Sequence, residues 1–350
     1  MPAIEDEFRP APDEWLKVER RRKQKWSFLS ETMAELLARP EPSLEWLIQD
    51  LWVDKSRGLI AGHPGVGKTW VALDMLLSVS SGQLCMGKYP PIVTGATLLV
   101  EEEASLLNLA RRVHCMARGR GLKDSDLTNF HHVTRQFLKI PKHEKELTEF
   151  IKDKQIKFVV FDSLRRFHNA KENSSDEMQP VLESFARINF ETGASVLLIH
   201  HLAKQGNEFG GKKSIFERMR GTSDLWAWRD CILGMEGEEE SSTSTCSFQF
   251  RDAESTSPIT IKRLVDPESG AISLTALALE ESEEYAPKCA AILDYMKTQY
   301  GSVTKEAIFQ SVKGRKAEFV KIFRLMESKK MVRKDGLKWA IQETNGDVPY

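Results

Sequence analysis

Gly62-His63-Pro64-Gly65-Val66-Gly67-Lys68-Thr69 stands between an apolar triplet, Leu59-Ile60-Ala61, and a helix-forming segment, Trp70–Ser80. The stretch fits G-x-x-x-x-G-K-[ST] in the strand–loop–helix frame that this pattern requires. Glycine backbones can wrap an anion so that successive N–H groups point inward. The helix that follows offers its unpaired N–H groups and its dipole to negative charge. Lys68 adds a point charge for β- and γ-phosphates, and Thr69 a hydroxyl for Mg²⁺. The expected ligand is a nucleoside triphosphate held by residues 62–69, with Trp70 beside it.

A metal site of this kind needs a carboxylate at the end of a second buried strand. Phe158-Val159-Val160-Phe161-Asp162 supplies Asp162 at the edge where ligands bind in open α/β sheets. Ser163 follows, so the group that positions water must come from elsewhere. Glu101-Glu102-Glu103 directly follows the apolar run Thr97–Val100 and can provide it. The run Ser195–Ile199 delivers His200 and His201 to the same edge, where they can sense the γ-phosphate.

Residues 51–280 alternate short apolar runs with helical patterns. The runs are Leu59–Ala61, Thr97–Val100, Phe158–Phe161, Val196–Ile199 and Ile232–Met235; the helices between the first four are Trp70–Ser80, Leu106–Arg118, Leu147–Lys154 and Met178–Glu191. This alternation predicts an α/β fold with a mostly parallel sheet covered by helices on both faces. Cys246–Arg251, Ile259–Leu264 and Ala271–Leu274 read as antiparallel strands extending one edge. The acidic stretch Glu236–Thr245 reads as a mobile loop. Residues 1–50 read as a helical leader with a basic run at Lys17–Lys23 and an apolar end, Leu44–Ile48.

Asp162-Ser163-Leu164-Arg165-Arg166-Phe167-His168, Glu172-Asn173, Met178, His200-His201-Leu202-Ala203-Lys204 and Arg220-Gly221-Thr222-Ser223 occur in one order and spacing. Together with the phosphate loop they resemble RepA-type plasmid replicative helicases and the wider RecA-like P-loop ATPases of mobile elements, over roughly residues 40–265. The resemblance implies a RecA-like core, ATP and Mg²⁺, a homo-oligomer of six subunits in a ring, and single-stranded DNA in its channel. It assigns the catalytic carboxylate to Glu103, nine residues before Arg112, with Glu102 second. It assigns Arg220 as a finger reaching a neighbour's γ-phosphate. A long leader and a C-terminal unit depart from the family's small plasmid helicases.

The chain has 350 residues, 41% hydrophobic and 29% charged, with net charge -1. Nucleic-acid affinity must therefore come from local patches. One is Leu202–Gly221, with five basic and two acidic residues, where Lys204, Lys212, Lys213 and Arg218 suit phosphate contacts. The other is a C-terminal unit, residues 288–343, after an acidic linker. Cys289–Gln299, Thr304–Val312 and Arg315–Lys329 read as helices, and Met331–Ile341 as a hairpin with an Asp-Gly turn. Val303–Ile341 holds 11 Lys/Arg against four acids. The pattern predicts a small winged-helix domain, with Lys316, Lys321 and Arg324 on the helix that would enter duplex DNA.

No apolar run approaches membrane-spanning length, the acidic N-terminus lacks a signal core, and five scattered cysteines include no CxxC pair. A cytoplasmic protein without membrane partners is expected. Three functions fit: a ring-forming DNA-dependent ATPase that unwinds or translocates, an ATP-switched DNA-binding regulator or helicase loader, and an ATPase serving a partner other than DNA. A metabolic kinase fits less well, because no acceptor-site constellation follows the core.

Overall fold

Leu98, Val159 and Leu198 point into one apolar cluster of the computed structural model, whereas their chain neighbours Leu99, Val160 and Ile199 point into another on the opposite face. Alternation of side chains along a strand sends successive residues to opposite faces. Both faces are covered, so the strands read as unbroken apolar runs. The structure describes residues 30–202, 215–216, 223–239, 241–278, 286–299, 301–312, 319–320, 322–323, 326–327 and 331–341.

The chain divides between Glu45 and Trp46 into two units. The first contains a short helix, Met33–Leu37, capped reciprocally by Thr32 and Glu35. The basic run Lys17–Lys23 lies outside the described residues.

In the second unit, β1 (Trp46–Ile48) and β2 (Trp52–Val53) form a small antiparallel hairpin. The apolar end expected for the leader, Leu44–Ile48, is divided: Trp46, Leu47 and Ile48 belong to the larger unit, where Leu47 and Ile48 are fully buried. Six parallel strands follow: β3 (Arg57–Gly62), β4 (Thr97–Glu101), β5 (Phe130–Thr134), β6 (Phe158–Asp162), β7 (Ser195–His201) and β8 (Cys231–Glu236). β9 (Thr243–Phe250), β10 (Ile259–Val265) and β11 (Ile272–Ala278) continue the sheet in antiparallel fashion. The spatial order is β11-β10-β9-β8-β3-β7-β6-β4-β5.

Helices Lys68–Ser81 and Leu106–Arg120 contribute to one core cluster, and Glu144–Asp153 and Ser175–Thr192 to the other. Two expectations change. β5 is an additional strand at the open edge; its five residues are only partly covered, so Phe130-His131-His132-Val133-Thr134 shows no buried apolar run. The stretch expected as a mobile loop, Glu236–Thr245, gives its first residue, Glu236, to β8 and its last three, Thr243–Thr245, to β9. Helix Leu106–Arg120 lies close against β11, because a Cβ on Gly119 would stand 2.1 Å from the Ile272 carbonyl oxygen.

The C-terminal residues have their own core. Helices Ala286–Thr298 and Lys305–Ser311, helical Phe319, Ile322, Phe323 and Met326, and the hairpin of β12 (Val332–Asp335) with β13 (Lys338–Ile341) bury one apolar cluster. Thr304 caps its helix by accepting a hydrogen bond from the Ala307 N–H. Asp335 pairs with Lys338, so the turn centres on Gly336-Leu337, one residue later than the expected Asp-Gly. Gly336 takes φ 61°, the left-handed backbone that glycine adopts readily.

Candidate nucleotide site

β3 ends at Gly62, and the loop that follows turns through left-handed Gly65 (φ 81°) and Gly67 (φ 93°) before the helix begins at Lys68. Glycine is the residue that adopts these angles without steric cost. The Lys68 ammonium donates to the carbonyl oxygens of Gly62 (3.0 Å) and His63 (2.6 Å). Burial pulls its pKa down to about 8, against the opposing fields of Asp162 and Glu103. An ammonium held this way gains from an anion brought beside it.

Asp162 ends β6 almost fully buried and accepts a 2.7 Å hydrogen bond from the Thr69 hydroxyl. Burial raises its pKa, while the Thr69 hydrogen bond opposes the rise. A buried carboxylate beside a hydroxyl is a pair of hard oxygen donors, the chemistry that suits Mg²⁺. The residues present therefore fit the expected metal. His201 and Glu103 stand near: one ligand atom from each of Glu103, Asp162 and His201 lies within 4.8 Å of the others.

The three consecutive glutamates separate. Glu101, the last residue of β4, is fully buried, and its Oε1 accepts from the N–H groups of Glu103 and Ala104, both at 2.7 Å. Burial, then the charge of Asp162, pushes its pKa to about 7. It braces the turn that carries its neighbours. Glu102 accepts from the Leu138 N–H at 3.0 Å. Glu103 reaches the site, with Oε2 3.4 Å from His201 Nε2. The hydrogen bond with His201, opposed by burial, holds its carboxyl below its usual pKa, so it is ionised at neutral pH.

The two histidines also separate. His200 is buried opposite Ala61, and its pKa falls to about 4 because of burial, then the fields of His201 and Lys68. It is neutral at pH 7. His201, opposite Gly62, is the one that faces Glu103. His168, from the block after Asp162, is also buried, with a pKa lowered to about 4 by burial and then by Arg165.

Trp70 is flanked by two guanidinium groups: Arg112 at 5.9 Å and Arg263 at 5.6 Å from its ring centroid. A shallow cleft of about 320 Å³ lined by Trp70, Asn108, Arg111, Arg112 and Cys115 opens beside it. Arg263 carries no motif; it arrives from β10, and sequence reasoning passed over it. Lys204, Lys212, Lys213, Arg218, Arg220, Lys316, Lys321 and Arg324 lie outside the described residues.

A family profile described as "AAA domain" matches residues 22–207. Among solved structures, a DnaB-like replicative helicase, described with its interactions with primase, is 14% identical at TM-score 0.50, covering 75% of this chain and 69% of its own. A RadB recombinase is 18% identical at TM-score 0.42, covering 60% and 87%. At 14% identity the likeness to the DnaB-like helicase concerns fold alone, and it agrees with the expected α/β core built on a large, mostly parallel sheet. No helix among the described residues is long and apolar enough to cross a membrane.

Proposed function

The chain belongs to the AAA domain family, and from that premise we propose that it is an ATPase whose hydrolysis of Mg-ATP is coupled to work on DNA. One observation carries the reading. Four neighbouring parallel strands, β3, β7, β6 and β4, end at Gly62, His201, Asp162 and Glu101, so the phosphate loop, the paired histidines, the acid and the glutamate turn meet at one edge. That is the set required to hold a triphosphate, neutralise its charge and activate a water.

In this reading the amides of residues 62–69 and the Lys68 ammonium hold the phosphates, and Thr69 with Asp162 holds Mg²⁺. The metal, when bound, neutralises phosphate charge. Glu103 takes a proton from water at its ionised carboxylate, and His201, in contact with that carboxylate, registers the change. The purine lies toward Trp70 and its two arginines. Arg220 acts on a neighbouring subunit's nucleotide in a ring of six.

The chain is then a helicase or translocase of a plasmid, phage or other mobile element, in the cytoplasm, with single-stranded DNA against Lys204, Lys212, Lys213 and Arg218. The C-terminal residues 288–343 act as a winged helix on duplex DNA; their helices, hairpin and positive charge support this. The deciding experiment measures ATP turnover with and without single-stranded DNA on wild type, Glu103→Gln and Arg220→Ala. Stimulation of wild type and loss of turnover in both variants are expected. Turnover indifferent to nucleic acid would remove the DNA reading, and stimulation without strand displacement would favour the regulator or loader.

A further inference from the structure

Phe137 is 72% exposed, an unusual position for a phenylalanine, and sits on a turn that the fold holds firmly. Arg135 and Phe137 both adopt left-handed backbone, at φ 52° and 57°. Such angles are disfavoured for bulky residues and persist where the surroundings impose them. Here the Arg135 N–H donates to the Glu101 carbonyl (2.8 Å), and the Leu138 N–H donates to the Glu102 carboxylate (3.0 Å). These bonds bracket Gln136 and Phe137 and present the ring outward.

The two loops at this turn carry an excess of positive charge, although the Glu102 carboxylate also reaches the turn at Leu138. Residues 135–143 contain Arg135, Lys139 and Lys142 and no acid; residues 163–171 contain Arg165, Arg166 and Lys171 and no acid. The two loops are joined, since Lys139 Nζ donates to the Arg166 carbonyl (2.6 Å) and the Ile140 N–H to the Phe167 carbonyl (2.7 Å). Lys171 lies 3.9 Å from Glu177; Arg135, Lys142, Arg165 and Arg166 enter no ion pair within 4 Å among the described residues, although Arg166 acts through its field on Glu103 and Arg165 on Glu172. Phe190, comparably exposed, lacks this setting: it adjoins Glu191, which pairs with Lys152.

We propose that this loop pair is a second contact for single-stranded DNA, in which Phe137 stacks on a base while Arg135, Lys142 and Arg166 take flanking phosphates. The inference rests on the DNA-coupled reading above and adds a site to the one expected between residues 202 and 221. An aromatic face beside unpaired cations is the combination that binds single strands without reading their sequence. The site also has a path to the chemistry. The bonds that seat the turn end on Glu101 and Glu102, immediately before Glu103, so a base pressed on Phe137 is felt at the glutamate turn.

The test is fluorescence anisotropy of a labelled twenty-nucleotide oligo-dT with the full-length chain, across a salt series. Phe137→Ala should weaken binding about 5- to 150-fold, the range for loss of one stacked base. Phe137→Trp should restore it, which a structural role for an exposed phenylalanine does not predict. Arg135→Ala combined with Lys142→Ala should reduce the slope of log K against log salt by about 1.4. Wild-type binding with Phe137→Ala indistinguishable from it overturns this site alone. No oligonucleotide binding by wild type overturns the DNA-coupled reading as well.

Discussion

The Thr69 hydroxyl donates a 2.7 Å hydrogen bond to Asp162 Oδ2, linking the first turn after the phosphate loop to the end of β6. In the proposed reading the pair closes the metal-binding corner of the site, and the fold keeps it at a cost. Burial raises the Asp162 pKa, so the ionised form is disfavoured where it stands. Asp162→Asn should therefore leave thermal stability unchanged or higher, while Mg²⁺ no longer strengthens nucleotide binding. Calorimetric titration of nucleotide with and without Mg²⁺ checks this. An undiminished Mg²⁺ effect would remove Asp162 from the site.

Glu102 and Glu103 are adjacent but should respond differently. Glu103→Gln should retain nucleotide and lose turnover by about 100-fold or more, the usual scale for removing a general base. Glu102→Gln keeps an oxygen to accept from the Leu138 N–H and should stay within about fivefold of wild type, the single hydrogen bond changing by no more than about 1 kcal/mol. Steady-state ATP hydrolysis separates them. Equal losses would transfer the assignment from Glu103 to the turn as a whole.

Two buried histidines should weaken the ligand-free chain toward acid. His168 and His200 have folded pKa values of about 4, below the 6.5 of an unperturbed histidine. At these two sites the unfolded chain binds more protons than the folded one between those values, so their contribution to stability is present above pH 6.5 and lost as pH falls toward 4, while Glu101, raised from 4.5 to about 7, opposes it across much of that window. The contribution of His200 is on the order of 3 kcal/mol at neutral pH. Urea midpoints at pH 7 and pH 5 measure it. His200→Asn should narrow the difference between the two midpoints, and an unchanged difference would discount the buried imidazole.

Gly119→Ala should destabilise the core far from any ligand. The added Cβ, whose position its own backbone fixes, would stand 2.1 Å from the Ile272 carbonyl oxygen, itself a backbone atom. Neither can turn aside, so the helix must move off β11. A loss of about 1–3 kcal/mol is expected, read from the denaturant midpoint. A midpoint within error of wild type would show that helix and strand are less closely seated.

How much of this was visible in the sequence depends on burial. β3, β4, β6 and β7 are covered on both faces, so their central residues had to be apolar on successive positions and announced themselves. β5 did not, because an edge strand covered only in part can carry His131 and His132. Glu101, Glu102 and Glu103 were visible as a cluster but not as three roles. That division depends on β4 running one residue past its apolar run, which carries a carboxylate into the interior. Arg263 was invisible because nothing local marks it; only the return of β10 beside the phosphate loop brings it to Trp70.

Pairing across these strands has a consequence for how the chain can vary. Gly62 lies opposite His201, and Glu101 opposite Asp162, so each functional position is fixed by counting rungs along a ladder. Deleting one residue inside β4, β6 or β7 would invert every side chain beyond it and scatter the site. Lengthening the connection at residues 121–129 would leave that count untouched. Tolerance to insertion and deletion should therefore fall sharply at the strand boundaries, which makes the chemistry of this chain robust to loop length and intolerant of a single lost rung.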